Sequence, residues 1–197
     1  IFGRIDVLVN VAGEGYGGRP EEIDLSVLKE TIDNLVIGRF KMCQEAGNRM
    51  IKNNVGSIIN FGSIGGWSSL GRGHAAYGIS MAAVIQMTKQ MAIDFGPENI
   101  RVNSILPGHI VTETVQSNRW DSNPSGLEFF HNQYPLRKVG ETKDIANAIS
   151  FLCSEDASFI TGHGLVVDGG LSIQLQEDFG LRQAHYIMEN PNTDIKI

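Results

Sequence analysis

Gly56-Ser-Ile-Ile-Asn-Phe-Gly-Ser63, followed after a Gly/Ser-rich stretch by Ala75-Ala-Tyr-Gly-Ile-Ser-Met81, is the part of the chain whose reading decides the fold. Ile58, Ile59 and Phe61 form the near-continuous apolar run of a parallel strand buried on both faces. That strand ends on a small polar residue, Ser63. Gly65, Gly66, Gly71 and Gly73 then mark a surface loop, after which a helix opens with a tyrosine in its first turn. Along this helix Tyr77, Met81 and Val84 fall at i, i+4 and i+7, so residue 81 is the tyrosine's neighbour. Taken alone, Met81 is an ordinary apolar residue of a helix face, and a serine and a tyrosine some fourteen residues apart occur together in many proteins.

Working outward, Ile5 to Val11 reads as a strand flowing into a turn with Gly13, Gly15, Gly17 and Gly18. Asp24 or Ser26 caps a helix that runs through Leu28, Ile32, Leu35, Val36 and Phe40 to about Ile51. Beyond the Tyr77 helix, Gly96-Pro97 is a stop signal, and Arg101 to Leu106 is the next strand, followed by Pro107-Gly108-His109-Ile110-Val111-Thr112. Residues 113–136 have poor periodicity and contain Asn123-Pro124 and Ser125-Gly126, the pattern of a long irregular substrate loop. Thr142 onward is an amphipathic helix with Asp144 in its first turn, where the macrodipole favours an acid. Leu165-Val-Val-Asp168-Gly169-Gly170 gives a last strand. The tail from Leu171 to Ile197 carries Phe179, Leu181, Tyr186, Ile187 and Met188, apolar content that calls for a surface to pack on, either its own or that of a neighbouring subunit.

A chain of 197 residues with 42% hydrophobic content can bury one sizeable core. A net charge of −6 and a pI near 5.3 leave no basic footprint for nucleic acid or an anionic membrane surface. The two cysteines, Cys43 and Cys153, lie in apolar helical patterns, which suits a reducing compartment. There is no Cys/His spacing for a metal, no apolar run long enough for a membrane span and no signal-peptide pattern. The expectation is a soluble, cytoplasmic protein directed at a small molecule.

The stretch from Ser63 to Met81 resembles the catalytic segment of the short-chain dehydrogenase/reductase family, a serine at a strand end followed by Tyr-x-x-x-Lys on the next helix. Ser63 and Tyr77 match, with a gap one residue longer than usual; Met81 stands where the lysine belongs. Asn10-Val-Ala12-Gly13 is similar to the family's Asn-Asn-Ala-Gly, Pro107-Gly108-x-x-x-Thr112 to its Pro-Gly-x-x-x-Thr, and Asp168-Gly169-Gly170 to its closing Asp-Gly-Gly. The resemblance covers residues 5 to 170. It implies an α/β fold, a doubly wound parallel sheet of Rossmann type that lacks the first βαβαβ half, with strands at about 5–11, 57–62, 101–106 and 165–168. Residues 1–170 are then part of a single domain and 171–197 a C-terminal extension. The family's first half carries a Thr-Gly-x-x-x-Gly-x-Gly phosphate loop, for which the glycines at 13–18 are no substitute. The first strand here would be an exposed edge, so a preceding segment in the natural protein is expected.

By resemblance the chain is an oxidoreductase that interconverts a secondary alcohol and a ketone with NAD or NADP. Tyr77 would be the acid/base, Ser63 would polarise the carbonyl, and Asn10, Ala12, Gly13, Tyr77, Pro107, Gly108, Ile110 and Thr112 would border the cofactor. The family's relay asparagine, written Asn-x-x-Gly, falls at Leu35 when aligned on Gly38 and at Asn34 when aligned by residue type. His74, His109, Arg72, Trp67 and Trp120 flank the site, with solvated or packing roles as the plainer reading. Assembly as a homotetramer or homodimer through the helices at 25–51 and 77–95 is also implied.

Met81 is the departure with chemical weight. A tyrosine with a reference pKa near 10 leaves roughly one part in a thousand ionised at neutral pH. An ammonium about 4 Å away at an effective dielectric near 20 favours the phenolate by up to ~4 kcal/mol, about three pH units. A thioether supplies neither that charge nor a donor to the ribose hydroxyls. Three explanations stand: an engineered inactive variant, a natural pseudoenzyme serving as a binding or regulatory subunit, or a sequence inferred from side-chain shape. The sequence expectation is a severe loss of turnover.

Overall fold

The computed structural model describes residues 3–193. The chain divides into two compact units, one made of residues up to Leu106 together with Asn147–Val166, the other of Pro107–Ala146 with the residues from Val167 on.

The first unit is built on a four-stranded sheet in the order β1 (Val7–Asn10), β2 (Gly56–Phe61), β3 (Ile100–Pro107) and β6 (Gly164–Val167). β1 pairs parallel to β2 with Asn10 opposite Asn60, and β2 pairs parallel to β3 from Gly56 opposite Ile100 to Phe61 opposite Ile105. The Gly162 amide donates to the Val102 carbonyl and the Ser104 amide to that of His163, so the chain entering β6 advances alongside β3. The strands thus lie where the apolar runs place them, each within two residues of expectation at either end.

Two long helical segments flank this sheet. The first begins at α1 (Leu25–Ile32), capped by Asp24, whose carboxylate accepts from the Ser26 amide at 2.7 Å. It passes through a π-helical turn at Asp33–Ile37 and continues as α2 (Gly38–Met50). The second begins after α3 (Ile64–Trp67) and is α4 (Ala75–Phe95). Cys43, Ala46 and Met50 from α2 and Met91 and Ala92 from α4 pack with Ile58, Ile100 and Val102 of the sheet. Burial of these side chains, at roughly 1.5–3 kcal/mol for each large one, is what holds the helices to the strands.

A polar network is set into that apolar layer. Asn10 donates through Nδ2 to Asn60 Oδ1 at 2.9 Å and to Cys43 Sγ at 3.2 Å, and Asn60 donates through its own Nδ2 to Thr88 Oγ1 at 3.1 Å. Thr88 passes the chain on to the Val84 carbonyl at 2.9 Å. All four members are buried, so removing the central one strands the others. Asn60→Ala is expected to destabilise the fold by about 2 kcal/mol, seen as a fall in the thermal unfolding midpoint of roughly 4–8 °C. An unchanged midpoint would mean that the network carries no stability.

The second unit contains a two-stranded pair, β4 (Ile110–Val111) with β5 (Gly140–Glu141), and the helices α5 (Glu113–Val115), α6 (Pro124–Gln133) and α8 (Gln176–Glu189). α7 (Thr142–Cys153) runs from this unit into the first. The long irregular loop expected at 113–136 is instead mostly helical. Asn123 caps α6 by accepting from the Gly126 amide at 2.8 Å, and Pro124 takes the first helical position, where its missing N–H costs nothing. In the tail, Tyr186 of α8 packs edge-on against Phe129 of α6 at 5.8 Å, while Leu181 and Met188 stay exposed. Ile197 lies outside the described residues. No helix among the described residues is long and apolar enough to cross a membrane.

Candidate active site

Ser63 leaves β2 in an extended conformation and becomes the N-cap of α3, its hydroxyl oxygen accepting from the Gly65 amide at 3.0 Å. That bond occupies an oxygen lone pair and leaves the hydroxyl proton for another acceptor. Gly65 and Gly66, expected in a loop, belong to α3, and the reason is how closely α3 lies on α4. A Cβ on Gly66 would stand 2.5 Å from the Met81 carbonyl carbon and 2.6 Å from the Ala82 nitrogen. α3, capped by Ser63, therefore lies on the first turns of α4, where Tyr77 is the third residue.

Tyr77 is half-buried, and among the described residues its hydroxyl makes no hydrogen bond. Its ring is covered from the other side by the turn after β1, where a Cβ on Gly15 would come within 2.5 Å of the ring. The turn is tied down at its far end, with the Gly18 amide donating to the Gly73 carbonyl at 2.7 Å. Beside Tyr77, Met81 is 2% exposed and packs with Leu35 and Val84 in a closed apolar cluster.

The two candidate relay positions lie in the π-helical turn and differ in burial. The extra residue of this turn brings Leu35 inward, to 1% exposure and contact with the Tyr77 cluster, while Asn34 faces solvent. The structure does not bring Asn34 to Tyr77. The inward position is apolar, so the two places beside the tyrosine, 35 and 81, are both closed to hydrogen bonding.

Sequence reasoning missed Arg39. One turn beyond Leu35, it is 5% exposed and donates to the Phe61 carbonyl at 2.6 Å and to the Val11 and Ala12 carbonyls at 3.3 and 3.4 Å. Burial lowers the proton affinity of the guanidinium, with Tyr77 and then Cys43 acting in the opposite direction. The detectable signal was the spacing of Leu35, Arg39 and Cys43, a charge on the core stripe of its own helix.

Asn10 spends its side chain in the buried network, and Ala12 and Gly13 follow it as exposed backbone, Gly13 at φ +129°. His74 and Trp67 are exposed, and Arg72 pairs with Glu21 at 2.9 Å on the surface. Together with Gly65, Leu70 and Gly78 they line a cleft of about 650 Å³ on the loop between α3 and α4.

In the second unit the Gly108 amide donates to the Val167 carbonyl at 3.1 Å, and the His109 amide donates to the Tyr134 hydroxyl at 3.1 Å. Ile110 lies in β4, and Thr112 caps α5 by accepting from the Val115 amide at 3.2 Å. Asp168 accepts from the Gly170 and Ser172 amides at 2.9 and 2.7 Å, a structural turn. His109 stands against the rings of Phe130 at 5.2 Å and Trp120 at 5.8 Å, and burial, then Arg119, lowers its proton affinity.

Residues 1–172 match the family model described as enoyl-(acyl carrier protein) reductase. The chain is similar to trans-4-hydroxycyclohexanecarboxylate dehydrogenase of Sinomonas cyclohexanicum, with 38% identity over 86% of this chain and 61% of that protein. Among solved structures it is similar to ElxO with NADP bound, at 37% identity and a TM-score of 0.81, over 88% of this chain and 69% of that one. It is also similar to a 4-hydroxyisoleucine dehydrogenase mutant complexed with NADH and succinate, at 35% identity and a TM-score of 0.78, over 86% and 69%. The chain spans between 61% and 67% of the length of the curated relatives it matches. The match of residues 1–172 to the family model, and the likeness of the whole fold to these solved structures, show that the chain belongs to the short-chain dehydrogenase/reductase family.

Proposed function

We propose that the protein is an NAD- or NADP-dependent oxidoreductase that interconverts a secondary alcohol and a ketone. The observation that carries this reading is the packing of α3, which Ser63 caps, against α4, which carries Tyr77 in its first turn. Ser63 donates to the substrate oxygen and polarises it, while Tyr77 takes the alcohol proton in oxidation or returns it in reduction. A bound dinucleotide accepts or supplies the hydride.

The residues present fit the nicotinamide end of that cofactor. Ala12 and Gly13 offer exposed backbone at the carboxyl end of β1, the region where α/β sheets bind ligands. Gly13 stands at φ +129°, a conformation that residues with a Cβ rarely adopt, which favours glycine and a bare backbone there. By the family resemblance, Tyr77, Pro107, Gly108, Ile110 and Thr112 are the further residues proposed for cofactor binding. Position 81 contributes no donor.

We further propose that residues 1–170 act as one domain with 171–197 as an extension, and that the protein works in the cytoplasm. Homotetramers or homodimers through α2 and α4 are supported by the groove that Phe40, Gln44, Met87 and Phe95 form there. A second reading, a non-catalytic homologue acting as a binding or regulatory subunit, draws on the closed Met81–Leu35 pair.

The deciding experiment is titration with NADH and NADPH while following nicotinamide fluorescence. A saturable quench or shift with at least one of them is expected, followed by alcohol-dependent reduction of the matching oxidised cofactor. Absence of any fluorescence response would move the protein to the second reading.

A further inference from the structure

Arg39 is the only cation buried among the described residues, and none of the ion pairs among those residues includes it. A guanidinium taken out of water without a carboxylate is costly, and here its Nε is buried with no hydrogen-bond partner. Its acceptors are three backbone carbonyls, of Phe61 at 2.6 Å, Val11 at 3.3 Å and Ala12 at 3.4 Å. Two of the three are the carbonyls that would carry the β1–β2 ladder further.

The bonds of a parallel ladder repeat along each strand with its two-residue period. In this one the Ser57 amide donates to the Asp6 carbonyl at 2.9 Å, and Asn10 opposite Asn60 is the last pair. The next two bonds would run from the Ala12 amide to the Phe61 carbonyl and from the Ser63 amide to the Ala12 carbonyl. Neither forms among the described residues, and both acceptors are held by Arg39. The guanidinium is thus a wedge between the carboxyl ends of β1 and β2, the end at which α/β sheets bind ligands. Its hold on Val11 also sets a direction. The peptide between Val11 and Ala12 is trans, so its N–H points opposite to its carbonyl and away from the guanidinium. Ala12 is exposed, and its amide makes no hydrogen bond among the described residues. Extending the ladder would satisfy the same groups with no buried charge, so stability alone does not call for the arginine.

We propose that Arg39 is a positioning residue that holds the β1–β2 ladder open after its last pair, so that the Ala12 amide is left to donate to an oxygen of the dinucleotide. The proposal rests on the oxidoreductase reading. The next peptide works in the same sense: with the Ala12 carbonyl on the guanidinium, the Gly13 amide is also turned away from it. Two successive N–H groups turned outward, with a fixed cation behind them, favour an electronegative partner. An arginine suits this place because its planar fork reaches carbonyls on two strands at once and keeps its charge when buried. Arg39 meets no cofactor atom in this arrangement; it acts through the backbone it holds.

The test is hydrogen exchange at the Ala12 amide, followed by NMR, beside nicotinamide fluorescence on the same samples. In the free protein this amide is expected to exchange at close to the rate of an unstructured chain, and saturating NADH or NADPH should slow it by about tenfold or more. Arg39→Met fills the space without donors and leaves the Phe61 carbonyl to the Ala12 amide. It should slow Ala12 exchange in the free protein by about tenfold and weaken binding of the reduced cofactor by about tenfold. A merely structural arginine would lower the thermal midpoint on removal and leave the Ala12 amide exchanging as in the parent, and that result overturns the proposal. If Arg39→Met does not fold, the parent decides: an open Ala12 amide that the cofactor slows supports the proposal, and one already protected in the free protein overturns it. A fluorescence response with no slowing at Ala12 overturns it too and leaves the oxidoreductase standing. No response to either nucleotide sinks the oxidoreductase reading and the donor role of Ala12 with it, while exchange in the free protein still decides the wedge.

Discussion

Tyr77→Phe is expected to lower turnover with a secondary alcohol by about a thousandfold, the middle of the range for loss of a positioned acid/base group. The hydroxyl is the only atom removed, and among the described residues it holds no hydrogen bond, so the fold should not notice. The ring, half-buried against the Gly15 turn and the Leu35 cluster, stays. The thermal midpoint should therefore move by no more than a few degrees, and binding of reduced nicotinamide should survive. Steady-state rates set beside fluorescence titration test both halves of this expectation. A rate within tenfold of the parent would remove Tyr77 from the chemistry, whatever its place in the motif.

The parts of the molecule legible in sequence are those where one periodicity dominates. Ile58, Ile59 and Phe61 announce a buried strand because no other element uses that run at that length, and the Ser63 and Tyr77 positions follow from strand end and helix start. Legibility fails where a local signal has two meanings. Asn123-Pro124 punctuates a loop but equally caps a helix, and the structure takes the second meaning. Gly65 and Gly66 favour a loop by propensity, yet both are helical, Gly66 with its missing side chain demanded by the backbone of α4 and Gly65 by Leu70. The π-helical turn at Asp33–Ile37 shifts the helix phase by one residue, so 3.6-residue spacing cannot tell Asn34 from Leu35. Arg39 escapes notice because a charge in a helix is normally on a solvated face. Only its place between Leu35 and Cys43, four residues from each, gives it away, and what it faces is a matter of tertiary structure.

Met81→Lys, which rebuilds the family motif, is expected to cost stability and to return little activity. The site is 2% exposed and closed by Leu35 and Val84, so an ammonium there meets methyl groups where it needs acceptors. An unpaired buried charge destabilises by roughly 3–5 kcal/mol, and a flexible lysine can recover some of this by snorkelling towards the Tyr77 hydroxyl. A net loss of about 3 kcal/mol corresponds to a fall in the thermal midpoint of roughly 6–12 °C. Adding Leu35→Asn supplies the acceptor the π-helical turn now lacks, and the double variant should regain part of the loss. Turnover discriminates between the two accounts of Met81. If residue 81 were the missing source of charge, restoring lysine would raise the rate by a hundredfold or more, since a three-unit shift of a phenol is worth that much at neutral pH. If the closed apolar pocket around residue 81 turns the ammonium away from the hydroxyl, the gain stays below about tenfold. Thermal unfolding and steady-state kinetics on the single and double variants measure both quantities. A stable Met81→Lys protein with a hundredfold gain would make residue 81 the missing source of charge.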